Sequence, residues 1–290
     1  MKKLVAAFGR QNWIRFGVRN RLVRLFDHPD RARDEWFEVP FFGRRYRGNF
    51  NTFIDWSVFY FGAYAVEELV CMRQALAGRP DAVVVDVGAN VGHHTLFAST
   101  VASQVHAFEP FAPLAGRIQE KIRMNGLDSV TIHPIGLGNV DARLAYSPPA
   151  TSNSGTGSFR SAGTGTVDLE VRRGDDYFRD AGIKRVDYLK IDVEGFEVEV
   201  LRGLAETLQR TRPICFVEWS QASRPDISGP ALFPPDYVFH RFLSNDPRFL
   251  LFNGALFRLV PSSAPWPDGH VLATPQEFGA RRGGWAGLQP

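Results

Sequence analysis

Cysteine is scarce. Only Cys71 and Cys215 occur in 290 residues, too few for a disulfide scaffold and too far apart for a zinc cluster. They read as small buried thiols of a reducing compartment, so the expected location is cytoplasmic. Long apolar runs are missing too. The longest, Val58 to Val66, has nine residues counting its glycine, against the roughly 20 that a spanning helix needs. Arg10 and Arg15 interrupt any signal-like stretch near the N-terminus. No Gly-Lys pair exists, which excludes a P-loop. With 44% hydrophobic and 22% charged residues, chain-wide disorder and fibrous repeats are excluded as well.

The net charge is only +3, and no nucleic-acid partner is expected. The charge is uneven, however. Residues 1–47 hold twelve Lys/Arg against five Asp/Glu, a local +7 that leaves −4 for the rest. Val18, Leu22, Leu25 and Phe26 have helical spacing, interleaved with Arg15, Arg19 and Arg24, and Pro29 stops the helix. An amphipathic basic helix of this kind either docks on its own domain or touches an anionic membrane surface weakly.

Residues 1–80 read as an N-terminal extension of helices and short strands, with Phe50 to Tyr64 holding a strand or buried segment. From residue 81 a rhythm begins. Ala82–Val87 is a β-branched strand, 93–103 a helix and Gln104–Glu109 a strand. Pro113–Asn125 is a helix stopped by Gly126, and Val130–His133 a strand. The β-α-β-α-β alternation implies a parallel sheet covered on both faces. An insert over 141–173 breaks it with a Ser/Thr/Gly-rich loop, a natural lid around Asn153 to Ser158. Val186–Asp192 resumes as a strand, Phe196–Gln209 as one helix and Ile214–Trp219 as a strand. Arg248–Phe252 and Ala255–Val260 flank Asn253-Gly254, a hairpin signal. The main domain thus spans 81–260. Residues 261–290, with five Pro and five Gly, read as a loose tail.

Asp86-Val87-Gly88-Ala89-Asn90-Val91-Gly92 stands between a strand and a helix. A glycine-rich turn there lets a ligand approach the backbone, and a helix start favours a negative group. Glu109, 21 residues beyond Gly88, ends the next strand where a ribose diol would be gripped. Asn90 and His93 replace two glycines of the dinucleotide fingerprint, which disfavours a nicotinamide cofactor. S-adenosylmethionine has no phosphate; it offers a carboxylate to the turn and a ribose to the acid.

Those residues, with Phe108-Glu109-Pro110, Ile135-Gly136-Leu137-Gly138, Lys190-Ile191-Asp192-Val193-Glu194-Gly195 and Val200-Leu201-Arg202-Gly203, resemble the FkbM-type methyltransferases over about residues 80–220. The resemblance implies a class I Rossmann-like α/β fold with a mostly parallel seven-stranded sheet and an antiparallel edge hairpin. It implies S-adenosylmethionine as cofactor and a hydroxyl of a sugar, glycoconjugate or natural product as acceptor. It places Gly88, Asn90 and Gly92, in the turn that Asp86 opens, at the methionine end. Glu109 falls on the ribose, and the turn holding Gly136 and Gly138 near the adenine.

Activating an alcohol needs a proton acceptor within hydrogen-bond reach. Reactive groups of such sheets gather at the carboxyl ends of strands. Asp192 is the leading candidate for base or acceptor-orienting group, with Glu194, Glu218 and His94 behind it. Asp192 and Glu194 would alternatively cap the next helix, and Glu218 would alternatively pair with Lys190 or an arginine. His106 and His133 read as core residues, and Trp219 as a stacking surface or a buried tryptophan. No ligand-spaced cluster supports a metal, although Asp192 and Glu218 could share one. The alternatives are an N-methyltransferase on the same scaffold and a non-catalytic nucleoside-binding protein.

Overall fold

Five consecutive residues, Val83–Val87, are buried on both faces, the signature of a central strand in a covered parallel sheet. The computed structural model describes residues 1–31, 33–146, 167–219, 229–244, 257–262, 266 and 268–281. The chain begins with helices α1 (Lys2–Gly9) and α2 (Phe16–Phe26) and a hairpin of β1 (Trp36–Phe41) and β2 (Arg44–Asn49). Phe42 and Gly43 both have positive φ, as a two-residue hairpin turn requires. Helix α3 (Phe53–Phe61) follows, and then α4 (Val66–Leu76).

Strand β3 (Val83–Val87) opens the alternation, followed by α5 (His93–Ala98), β4 (Gln104–Phe108), α6 (Ala112–Asn125) and β5 (Val130–His133). Next come β6 (Gly136–Gly138), β7 (Ala142–Tyr146), β8 (Val167–Arg173), α7 (Gly174–Asp180) and β9 (Tyr188–Ile191). Helices α8 (Glu197–Gly203) and α9 (Ala205–Thr211) precede β10 (Ile214–Trp219), β11 (Tyr237–Ser244), β12 (Phe257–Pro261), β13 (Gly269–Pro275) and α10 (Gln276–Arg281).

The main sheet runs β12-β11-β13-β10-β9-β3-β4-β5. β5, β4, β3, β9 and β10 are parallel, whereas β13, β11 and β12 are antiparallel to their neighbours. The chain walks outward from β3 to β5 and returns on the other side through β9. A topological switch point therefore lies between β3 and β9, where such sheets open a crevice.

The mostly parallel sheet with an antiparallel edge pair is as expected, with eight strands in place of seven. The difference comes from the segment read as a loose tail, and that reading is corrected. Gly269–Pro275 is β13, inserted between β10 and β11 with its last five residues buried. The predicted hairpin becomes β11 paired with β12; Arg248–Phe252 and Asn253-Gly254 lie outside the described residues. Within the insert, β7 and β8 pair and, with β6, form a separate three-stranded sheet, and the lid region at Asn153 to Ser158 is outside the described residues.

Four further expectations are revised. The aromatic run after Phe50 is a buried segment, one of the two alternatives expected, but a helix and not a strand, because Thr52 accepts the Asp55 amide at its start and Gly62 closes it at φ +89°. The boundary at residue 80 does not divide the core, since Leu69, Cys71, Met72 and Leu76 of α4 pack in one cluster with Val84, Val105 and Tyr188. Helix α5 stops at Ala98, where the Ser99 and Thr100 hydroxyls turn back onto the carbonyls of Leu96 and Phe97. The segment 196–209 is two helices. Asp175 of α7 accepts the amides of Glu206 and Thr207, satisfying the free donors of a new helix start at that point.

Candidate active site

At the switch point the cofactor turn and the acidic loop are built against each other. Val87 pairs with Ile191 across β3 and β9, and the Asp192 amide donates to the Val87 carbonyl at 3.1 Å. Gly88 has φ +81°, and a Cβ there would sit 1.9 Å from the Asp192 carbonyl oxygen. Only glycine permits this approach. The turn continues with Asn90 and Gly92 at φ +53° and +80°. Its amides at Gly88 and Ala89 donate to the Phe108 carbonyl, anchoring it to the end of β4.

Glu109 is locked beyond β4. Its two carboxylate oxygens accept the amides of Asn90 and Phe111, both at 2.9 Å. Burial nevertheless lifts its pKa to about 7, against those two hydrogen bonds. Each oxygen keeps a second acceptor direction, which suits a vicinal diol. The Asn90 side-chain oxygen is buried with no partner among the described residues, an open acceptor beside the same turn. The turn, the orphaned oxygen and the buried acid together fit a ligand with a ribose and an amino-acid end.

Asp86 lies beneath the turn. It is fully buried, accepts the Thr95 hydroxyl at 2.7 Å and stands 3.8 Å from the Lys190 ammonium. Gly136 and Gly138 form β6, not a turn. A Cβ on Gly138 would strike Val171. Gly203 of α8 presses on the Gly138 carbonyl so closely that its own Cβ would lie 1.9 Å away. Packing of α8 on β6 thus requires glycine on both sides.

Beyond the turn lies a charge network. Lys190, buried in β9, donates to Asp192 at 2.9 Å. Its own burial disfavours the ammonium, but Asp192, Asp86 and Glu68 outweigh it and raise its pKa. Burial opposes ionisation of Asp192 as well. Lys190 and a hydrogen bond from Glu218 prevail and hold it well below the usual carboxylate range. Glu218, at the end of β10, is pushed up to about 9 by burial and by the Asp192 charge. The pair therefore holds one proton at neutral pH, and Lys190 beside Asp192 biases the negative charge toward Asp192.

Glu194 completes the group at φ +51°, a conformation uncommon outside glycine. Glu197 fixes that loop by accepting the amides of Val193 and Gly195. Burial, with Asp192 and Glu197 nearby, lifts Glu194 to about 7. One oxygen each from Asp192, Glu194 and Glu218 lies within 4.8 Å of the others.

The other predicted residues fall as follows. His94 is buried and hydrogen-bonded to Glu68 at 3.0 Å. His93 accepts the Tyr64 amide, and burial keeps it neutral. His106 and His133 bond to each other at 3.1 Å, and His133 contacts the Tyr177 hydroxyl. Trp219 is buried against Trp266. Lys190 pairs with Asp192 and Asp86, and Glu218 bonds to Asp192 instead.

Sequence reasoning missed Glu68, Tyr64 and His270. Glu68 of α4 bridges His94 and His270, the latter at 3.5 Å. Its burial penalty is outweighed by the His94 hydrogen bond, His270 and Lys190, so its pKa falls. The Tyr64 phenol is lifted to about 12 by burial and by Glu68, Asp192 and Glu218. The only sequence signal was an acid and a tyrosine in an aromatic stretch.

The Glu218 assignment has a thermodynamic signature. A carboxyl with a folded pKa near 9 and an unfolded one near ~4.3 stabilises the fold fully below ~4.3. That contribution is lost as pH rises toward about 9. Glu218→Gln imitates the neutral carboxyl and lacks this slope. Thermal unfolding of both proteins across this range should therefore show the variant gaining on the wild type as pH rises. Parallel curves would show that Glu218 is not held protonated.

Residues 86–244 match the family described as "Methyltransferase FkbM domain". The chain is 33% identical over 146 residues to "Methyltransferase 1" of Beauveria bassiana, covering 43% of this chain and 59% of that protein. It is 28% identical over 164 residues to the 2-O-methyltransferase NoeI of Sinorhizobium fredii, covering 50% and 66%. It is 33% identical over 132 residues to the hexuronic acid methyltransferase AglP of Haloferax volcanii, covering 44% and 52%. The matches thus span about half to two thirds of these relatives' lengths.

Proposed function

The chain belongs to the FkbM methyltransferase family, and on that premise we propose that it methylates a hydroxyl of a sugar or glycoconjugate with S-adenosylmethionine. The observation carrying this reading is the Lys190–Asp192–Glu218 group beside the Gly88 turn. It places an ionised carboxylate, a neutral carboxyl and a cation at one end of the sheet. Two relatives bear names for 2-O-methylation and for hexuronic acid methylation, which supports a sugar-like acceptor.

In this reading Glu109 receives the ribose hydroxyls, and the turn from Gly88 to Gly92, with Asn90, receives the amino-acid end. When bound, S-adenosylmethionine supplies an electrophilic methyl on a sulfonium. Asp192, kept ionised by Lys190, accepts the hydrogen bond of the attacking hydroxyl and aligns its oxygen. Glu194, with a pKa near neutrality, would take the hydroxyl proton as the oxygen–carbon bond forms and the carbon–sulfur bond breaks, the sulfur leaving as a neutral thioether. Glu218 donates to Asp192 and holds its orientation. A neutral carboxyl and a cation around one carboxylate favour a hydroxyl, which arrives with a proton to give, over an ammonium-bearing acceptor.

Cofactor binding tests this reading directly. Titration calorimetry should show binding of S-adenosylmethionine and none of NAD. Glu109→Ala should weaken S-adenosylmethionine by about 1.5–3 kcal/mol, the worth of hydrogen bonds to a charged group. Unchanged affinity in a folded variant removes Glu109 from the site. Labelled S-adenosylmethionine should then transfer its methyl group to a glycoside as an ether.

A further inference from the structure

The N-terminal helices carry their apolar residues on the outside. Leu4 on α1 is 77% exposed, Trp13 in the connection 69%, and Leu25 and Phe26 at the end of α2 78% and 63%. On α2 the exposed Val18, Leu22 and Leu25 stand at i, i+4 and i+7, which is one face of a helix. The positions facing the body are Arg19 and Val23. A surface helix of a globular domain shows the reverse distribution.

The cations divide into two sets. Arg10 donates to the carbonyls of Val58 and Phe59, and Arg19 to those of Gly9 and Ile14. These two clamp α1 and α2 to the body and to each other. Lys3, Arg15 and Arg21 have no carboxylate partner among the described residues, and Lys3 and Arg21 are exposed. The nearby acids Asp27 and Glu35 are already tied to Arg33 and Lys2. At eight and eleven residues the two helices are far too short to span a bilayer. Among the described residues no helix is long and apolar enough to cross one.

We propose that α1, α2 and their connection form a docking face for an anionic lipid surface. The apolar side chains of Leu4, Trp13, Leu22 and Leu25 enter the headgroup boundary, and Lys3, Arg15 and Arg21 meet lipid phosphates. The apolar stripe flanked by cations with no carboxylate partner among the described residues, on a segment of +7 joined to a body of −4, matches such a surface in both chemistry and sign. A tryptophan exposed at its edge suits the same boundary. Attachment is peripheral and reversible, and it is independent of the methyl-transfer reading.

Vesicle flotation of the full chain tests it without any methyl acceptor. Vesicles of phosphatidylcholine containing about a third phosphatidylglycerol should carry the protein upward at low salt. Vesicles of phosphatidylcholine alone should carry far less, and high salt should release the protein from the anionic ones. Arg15→Gln with Arg21→Gln should lower partitioning by about tenfold or more. Leu22→Asp with Leu25→Asp should lower it by a similar ~10-fold factor while the circular dichroism spectrum stays unchanged, since both side chains are exposed. Absence of flotation at low salt, equal binding to neutral vesicles, or unchanged binding by either variant overturns the proposal. So does a wild-type dimer in sedimentation that Leu22→Asp with Leu25→Asp converts to monomer, because the face is then covered by a second copy.

Discussion

Asp192→Asn should lower turnover by roughly 10²-fold, the cost of losing the alignment of an attacking group, with S-adenosylmethionine affinity retained. The substitution keeps the shape of the side chain and removes its charge. Lys190 then loses its hydrogen-bonded carboxylate and turns toward the remaining acids, so Glu218 no longer stays neutral beside an anion. The acceptor hydroxyl loses its aligned hydrogen-bond acceptor at the same step. Cofactor affinity is expected to hold because the Gly88 turn meets residue 192 through its backbone carbonyl, which asparagine also has. Single-turnover kinetics with labelled cofactor, alongside calorimetry, separate the two quantities. Turnover near the wild-type value would reduce Asp192 to a structural role in the loop before α8.

Lys190→Met should be the most destabilising single change in the site, at about 3–5 kcal/mol, because it leaves buried carboxylates without their cation. Asp86 is fully buried, and Asp192 has a side chain 35% exposed, so most of the cost falls on Asp86. The pH dependence follows from the pKa directions. Asp192 is depressed in the fold, so its contribution is present above an unfolded pKa of ~3.9 and is lost as pH falls through its lower folded value. Lys190 is raised, so its contribution is present below ~10.4 and is lost as pH rises through its higher folded value. The deficit of the variant should therefore be greatest between these limits and shrink in acid. Urea unfolding at neutral and acidic pH measures it. A variant within experimental error of the wild type at neutral pH would mean that the carboxylates find another partner.

Much of this site was legible along the chain. The turn from Gly88 to Gly92 and the acid at 109 lie within one β-α-β unit, where spacing alone fixes their proximity. Asp192 and Glu218 end two neighbouring parallel strands, so strand-end reasoning brings them together. Glu68 and His270 escaped it. They are 202 residues apart, and one acid on a helix and one histidine in a strand carry no local pattern. Their meeting depends on α4 covering the sheet and on β13 entering it. β13 escaped for a related reason: a strand buried on both faces shows no alternation, and prolines around it read as loop. Helix α3 was obscured by propensity, since its aromatic and β-branched residues favour strands, although Thr52 and Gly62 marked its ends. The break between α8 and α9 had no local sign, because the cap comes from Asp175 on another helix.

The place of β13 has a consequence for biosynthesis. β10 and β11 both leave the ribosome before it, and each needs it as a neighbour. Until residues 269–275 emerge, the nascent domain holds two unpaired strand edges flanking a gap, the kind of surface that recruits chaperones or misassembles. His270 arrives on that same strand, so Glu68 receives its second histidine only when the gap closes. Completion of the sheet and completion of the charge network are thus a single late event. Nascent chains that stall before it should be recognised as unfinished, with the turn from Gly88 to Gly92 already synthesised.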